Sequence, residues 1–401
     1  MKNGLILFNS SNGVFDGKYI ESVTSLFKGA GLGFSRLEVL SFQDDLAFSR
    51  SLKDFRDTVD NLVVLCSKSI EFDLKKILSE IFESPLVENE NALNFIKAVS
   101  NEPVEEIEKY ALMPSDATLI PNLSGVFQGF MFDNREFTLA VLPAEIKEFS
   151  LSAEKYVIPY LEKKYELNRK RQTIKYFGDK SKLLSTLENA RGLVENKFSY
   201  VYTETHGDFK VDLLFDSSDS LDYKTVMRFL IQELKENIYA EFDTSLSERV
   251  FDLLKLKKLK VSVAESFTAG RVASAIISNS GASEFVHEGI VSYSNQSKLS
   301  RLNVDKGDLI KNGAVSSVVA YHMAVGLLKT GECDVAISTT GIAGPKSDNT
   351  EKPVGLCYIA IGMKDGVHTY KYNLSGNREE ITETAKNTAL FLTIKKLKEF
   401  R

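Results

Sequence analysis

The chain has 401 residues and a formal net charge of -5, from 50 Lys and Arg against 55 Asp and Glu, so its length points to two or three domains with a sizeable core. With 43% hydrophobic and 26% charged residues, the composition is that of an ordinary soluble globular protein and excludes a disordered or fibrous one. Cys66, Cys333 and Cys357 are too few and too scattered for a disulfide framework or a zinc site, which fits a reducing cytoplasm, and the acidic balance argues against a nucleic-acid partner.

The N-terminus opens with Leu5-Ile6-Leu7-Phe8 and then Asn9-Ser10-Ser11-Asn12-Gly13, which predicts a buried strand and a loop rather than a secretion signal. The longest nearly apolar run, Val318 to Leu328, is interrupted by His322 and falls short of the roughly 20 residues a membrane span needs, so no membrane association is expected. Short apolar runs alternate with amphipathic stretches up to about residue 165: Tyr19 to Leu32, Leu62 to Leu65, Phe72 to Phe82. That alternation predicts βαβ units around a largely parallel sheet. The polar stretch Glu162 to Gln172 reads as a linker or solvated helix end.

From Tyr176 to Asp243 the order is helix (Lys182 to Leu193), two strands (Phe198 to Thr205, Phe209 to Phe215) joined through His206-Gly207-Asp208, and helix (Tyr223 to Glu236), a small α+β module. A third unit opens with a helix over Leu246 to Leu259 and continues as strand, glycine-bearing turn and helix. The expected architecture is a three-domain α/β chain divided at 1–168, 169–245 and 246–401. Negative charge is concentrated before residue 246, and the last part carries a positive excess that would draw a small anionic ligand.

The most informative stretch is Val261-Ser262-Val263-Ala264-Glu265-Ser266-Phe267-Thr268-Ala269-Gly270-Arg271. A buried strand runs into a helix start with Ser266 at the junction, where free N–H groups favour an anion or a developing oxyanion. Ser266 or Thr268 is read either as a reacting group or as a helix cap. A serine hydroxyl needs a base, and the histidines offer none: His206 falls in a hairpin turn, His287 in a loop, His322 in a helix and His368 in a strand. Lys298, in a second strand-to-helix passage from Gly289, becomes a base if desolvation depresses its pKa, with Tyr293 as a proton relay; the bland alternative is an exposed lysine and a packing tyrosine. Glu265 either orients that lysine or satisfies backbone donors. Ser338 to Pro345 places Thr340, Gly341 and Gly344 after a strand, where backbone amides approach a ligand closely, and Arg378 at the start of the final helix is a phosphate fork or a surface arginine. Metal-ligand spacing is absent from this part, and no cofactor is expected.

These residues resemble the CinA family, the competence and damage-inducible proteins whose C-terminal domain is a nicotinamide mononucleotide deamidase. The matching motifs are Ala264 to Gly270, Val291 to Asn295 with Lys298, Gly313 to Ser316, Thr340 to Pro345, and Glu351 to Gly355, covering about residues 246 to 401. The resemblance implies Ser266 as nucleophile, Lys298 and Tyr293 as its activators, and Glu265, Thr268, Gly270, Arg271, Thr340, Gly341, Gly344 and Arg378 around the nucleotide substrate. It also implies a homodimer. Two positions depart from the family: Ala269 stands where a glycine is usual, and Lys346-Ser347-Asp348-Asn349 replaces a glycine-rich stretch. Either departure would suit a nucleotide-binding regulator without turnover, and an amidase for another small amide is a further alternative.

Residues 1 to about 165 are similar to the family's molybdopterin-binding-like domain, which in some members hydrolyses ADP-ribose with a divalent metal. Members carry Gly-Gly-Leu-Gly-Pro-Thr where this chain reads Cys66-Ser67-Lys68-Ser69-Ile70-Glu71, so the phosphate cradle is missing, although Pro121-Asn122, Gly125, Gly129 and Pro143-Ala144-Glu145 persist. An inactive domain is expected. The middle module resembles the family's KH-type domain without a Gly-x-x-Gly loop, which favours a spacer or dimerisation role over RNA binding.

Overall fold

Leu5, Ile6, Leu7 and Phe8 are all fully buried, as are Leu62 through Cys66 and Leu139 through Leu142. Continuous burial of this kind belongs to strands covered on both faces. The computed structural model that shows this describes all residues except 10–14, 16, 42–44, 101–102, 168, 196, 216–219, 348–350 and 401. The chain forms two compact units, Met1–Arg171 with Phe198–Val201 and Leu213–Ser218, and Gln172–Lys197 with Tyr202–Asp212 and Asp219–Arg401.

The first part runs β1 (Asn3–Asn9), α1 (Gly17–Gly29), β2 (Phe34–Ser41), α2 (Asp45–Arg56), β3 (Asn61–Cys66), α3 (Glu71–Ile81), β4 (Leu86–Glu88), α4 (Glu90–Val99), α5 (Val104–Ala111), β5 (Leu112–Pro114), β6 (Thr118–Ile120), β7 (Gly129–Asp133), β8 (Thr138–Pro143), α6 (Ile146–Ser152) and α7 (Ile158–Lys164). The main sheet has order β2-β1-β3-β8-β7-β6. Its first four strands are parallel and the β8-β7-β6 edge is antiparallel, so the parallel reading holds for the centre. Strand periodicity sends Leu5, Leu7, Val63 and Leu65 against Val23, Phe27 and Phe149, and Ile6, Phe8, Leu62 and Val64 against Phe48, Phe55 and Leu74.

The chain continues as β9 (Lys170–Phe177), α8 (Lys180–Leu193), β10 (Phe198–Thr205), β11 (Asp208–Phe215), α9 (Ser220–Leu234) and β12 (Ile238–Ala240), with sheet order β10-β11-β9-β12. One expectation needs correcting here. The segment read as a linker to Gln172 already belongs to β9 from Lys170 onward, because Ile174 through Phe177 supply the buried half of a strand that its basic start disguises. The short strand β12 also escaped the sequence reading. The hairpin between β10 and β11 turns on His206 and Gly207, both at positive φ (51° and 79°).

The last part comprises α10 (Leu246–Lys257), β13 (Val261–Glu265), α11 (Arg271–Ile277), β14 (Val286–Val291), α12 (Asn295–Leu302), α13 (Lys306–Asn312), α14 (Ser317–Leu328), β15 (Val335–Gly341), β16 (Leu356–Met363), β17 (Gly366–Asn373) and α15 (Arg378–Glu399). The sheet order is β14-β13-β15-β16-β17, with β13 parallel to both neighbours and the β15-β16-β17 side antiparallel. His287, expected in a loop, lies in β14, whose alternating exposure marks it as a sheet edge. Val261 and Val263 pack with Val250, Leu254, Leu390 and Ile394 of α10 and α15, while the small Ala264, Ala336 and Ala360 admit α14 through Val319 and Met323. Among the described residues no helix is long and apolar enough to cross a membrane.

Candidate active site

Strand β13 is buried throughout and held on both sides at its carboxyl end: Ser292 N donates to Glu265 O (2.7 Å) and Ser266 N to Thr339 O (3.0 Å). The chain then reverses through Ala269 and Gly270, at φ of 54° and 92°, before α11 begins. That left-handed pair lets the Glu265 carboxylate reach forward and accept from the backbone N–H groups of Gly270 (3.0 Å), Val272 (3.2 Å) and Ala273 (2.9 Å). A carboxylate on the first orphan donors of a helix is the expected partner for its positive end. The Glu265 side chain therefore fixes the turn that presents Ser266.

Lys298 enters from the first turn of α12, whose cap, Ser294, accepts from Ser297 N (3.1 Å). The lysine is 1% exposed, and its Nζ lies 2.9 Å from Ser266 Oγ, 2.7 Å from Ser292 O and 3.3 Å from Tyr293 O. No acidic group among the described residues hydrogen-bonds it, and burial alone lowers its pKa from 10.5 to about 8. A neutral amine has two N–H bonds and one lone pair. With the two carbonyls taking the N–H bonds, the lone pair is left for the Ser266 hydroxyl, which is the arrangement a general base needs.

Ser266 and Lys298 open into a cavity of about 560 Å³ that is also lined by Tyr293, Asn295, Gly313 to Val315, Thr340 to Gly344, Lys346, Lys352 and Arg378. Its described lining carries four basic side chains and no acidic one, which suits an anionic ligand. The walls are tied together: Thr340 Oγ1 donates to Ala314 O (2.8 Å), Lys352 Nζ to Asn312 O and Val315 O (2.8 Å each), and Arg378 Nη1 to Gly344 O (2.7 Å). A Cβ on Gly341 would stand 2.6 Å from Cys357 Cβ and 3.0 Å from the Phe267 ring, so only glycine allows the backbone this close beneath the cavity.

Of the expected residues, Ser266, Tyr293, Lys298, Thr340, Gly341, Gly344 and Arg378 line this cavity. Glu265, Thr268, Gly270 and Arg271 are not among its lining residues. The Glu265 carboxylate is spent on the amides of Gly270, Val272 and Ala273. Thr268 Oγ1 is buried 2.6 Å from Thr339 Oγ1, and Arg271 Nε donates to Glu383 Oε1 (2.9 Å). Tyr293 is 65% exposed and its side chain makes no hydrogen bond among the described residues, so the contact of this residue with Lys298 is through its carbonyl. None of the four histidines lines the cavity; His322 Nε2 lies 2.9 Å from Asp308 Oδ2. Sequence reasoning missed the Ser292 carbonyl and Lys346 and Lys352 as site groups. Lys352 was visible inside the Glu351 to Gly355 motif, whereas a backbone carbonyl leaves no signal in a sequence. In the loop after Pro345, Asp348 and Asn349 lie outside the described residues.

In the N-terminal part a smaller cavity of about 300 Å³ lies at the carboxyl ends of β3 and β8, lined among others by Ser67, Lys68, Phe127, Glu145 and Glu148. Glu71 is paired with Lys75, both fully buried, and Lys75 also donates to Tyr110 O (2.9 Å). Asn122 Nδ2 donates to Glu148 Oε2 (2.6 Å). Among the described residues no group of three or more His, Cys, Asp or Glu side chains is arranged to hold a metal ion.

Fold and site together define an α/β protein with a buried serine–lysine pair at the carboxyl edge of a parallel strand trio. The family description "CinA C-terminal domain" matches residues 243–397. Over 326 residues, 79% of both chains, the sequence is 33% identical to a relative from Caldicellulosiruptor saccharolyticus named "Putative competence-damage inducible protein", and 31% identical over the same share to one of the same name from Clostridium acetobutylicum. The chain belongs to the CinA family of competence-damage inducible proteins. Among solved structures, the competence/damage inducible protein CihA of Agrobacterium tumefaciens is 36% identical, covering 38% of this chain and 93% of its own, with a TM-score of 0.37.

Proposed function

We propose that the C-terminal part hydrolyses the carboxamide of nicotinamide mononucleotide to nicotinic acid mononucleotide and ammonia. The observation that carries this reading is the buried Lys298 amine 2.9 Å from Ser266 Oγ, with no acidic partner among the described residues to hold it protonated. Ser266 Oγ attacks the carboxamide carbon while Lys298 takes its proton. The resulting ammonium returns that proton to the departing nitrogen, which leaves as ammonia, and an acyl ester remains on Ser266. Water then attacks the ester with Lys298 again as base, releasing the acid and restoring the hydroxyl. With the α11 amides occupied by Glu265, oxyanion stabilisation falls to the Thr340 to Gly344 loop that lines the cavity. The basic lining supports a phosphate-bearing amide over a neutral one.

The reading is tested by ammonia release from the purified protein with nicotinamide mononucleotide, the phosphate-free riboside, and free nicotinamide as a panel. Turnover that falls in that order is expected. Equal rates on all three would replace a nucleotide amidase with a general one.

A further inference from the structure

Four basic side chains line the cavity, and three have duties within the protein. Lys298 is bound to Ser266, Ser292 O and Tyr293 O; Lys352 spans Asn312 O and Val315 O; Arg378 gives one nitrogen to Gly344 O. Lys346 is different: it is exposed and has no hydrogen bond or ion pair among the described residues. It follows directly on the segment that Arg378 anchors, since Gly344 is held at 2.7 Å and Pro345 precedes the lysine. Its Cα is thus carried by a tied strut while its ammonium is uncommitted. A flexible point charge with three donors on a fixed base is suited to a phosphate oxygen.

We infer that Lys346 is a specificity-determining residue of the site, the cation that selects substrates bearing a phosphate. The inference rests on the amidase reading above and deepens it. The amide end of a ligand belongs beside Ser266 and Lys298, so the phosphate at its other end depends on the rim. There Arg378 is partly engaged and Lys352 gives two of its three N–H bonds to carbonyls, which leaves Lys346 as the main mobile cation. Because the group is exposed, its contribution is the modest one of a screened ion pair, about a two- to fivefold effect, and it weakens as salt is raised.

The test compares wild type, Lys346→Gln and Lys346→Arg on nicotinamide mononucleotide and on its riboside. Lys346→Gln is expected to raise KM for the nucleotide about two- to fivefold with kcat little changed and to leave kcat/KM for the riboside unchanged, while Lys346→Arg restores most of the loss. Equal losses on both substrates, or no change on either, would overturn the inference and leave the amidase reading standing. If wild type releases no ammonia, the amidase reading fails separately, and calorimetric titration with nicotinamide mononucleotide decides the role of Lys346. Weaker binding by Lys346→Gln then supports it, and equal binding, or no binding by wild type, rejects it.

Discussion

Lys298 Nζ and Ser266 Oγ meet at 2.9 Å although the residues are 32 positions apart and arrive from different strand-to-helix passages. Because burial holds the lysine near 8 rather than 10.5, its neutral form is reached within the working pH range. A base acts only when deprotonated, so kcat/KM should rise with pH and level off above about 8. Lys298→Arg, which keeps the charge but cannot accept a proton at these pH values, should lower kcat about a thousandfold or more. A flat profile between about pH 6 and 9 would remove the lysine from the base role.

Glu265 is expected to act on stability first and on catalysis through the turn. Glu265→Gln keeps the shape but sets an NH2 donor against backbone donors that the carboxylate now satisfies. A loss of about 1–3 kcal/mol follows, visible as a lower thermal midpoint. An unchanged midpoint would show that the α11 amides do not depend on this side chain.

Ala269 sits at φ 54° with its methyl group exposed, so the departure from glycine costs conformation rather than space. A left-handed residue with a Cβ is disfavoured by about 1–2 kcal/mol, offset in part by the greater freedom of glycine in the unfolded chain. Ala269→Gly should therefore stabilise the protein by about 0.5–1 kcal/mol in denaturant unfolding with little change in turnover. The position lies outside the cavity lining, which takes away its weight as a sign of lost activity.

For the N-terminal part, an acid that is locked to Lys75 in the interior is unavailable to a metal, and Lys68 lines the neighbouring cavity. Metal-dependent ADP-ribose hydrolysis should be absent from the purified chain, and its appearance would refute the loss. Lys75→Met should destabilise by about 3–5 kcal/mol, since Glu71 would be left buried without its partner.

The parallel centre of the first sheet and the β13-turn-α11 passage were legible because continuous apolar runs and a glycine after a strand are local signals. Whether Ser266 caps or reacts was not, and only the family resemblance favoured reaction. The role of Glu265 was hidden for a related reason: its partners lie five to eight residues ahead, and the turn that brings them back depends on left-handed backbone at Ala269 and Gly270. The partner of Arg271 was hidden because Glu383 is 112 residues away. Strand β9 was obscured by its basic start, Lys170 and Arg171, which resembles a solvated linker until Ile174 to Phe177 are seen to be buried.

The most direct measurement is ammonia release from nicotinamide mononucleotide by wild type beside Ser266→Ala. Turnover by wild type and a loss of about a thousandfold or more in the variant, with the nucleotide still bound, is the predicted result. Full activity in the variant would contradict the nucleophile, and silence in both with the nucleotide bound would make the cavity a binding site without chemistry.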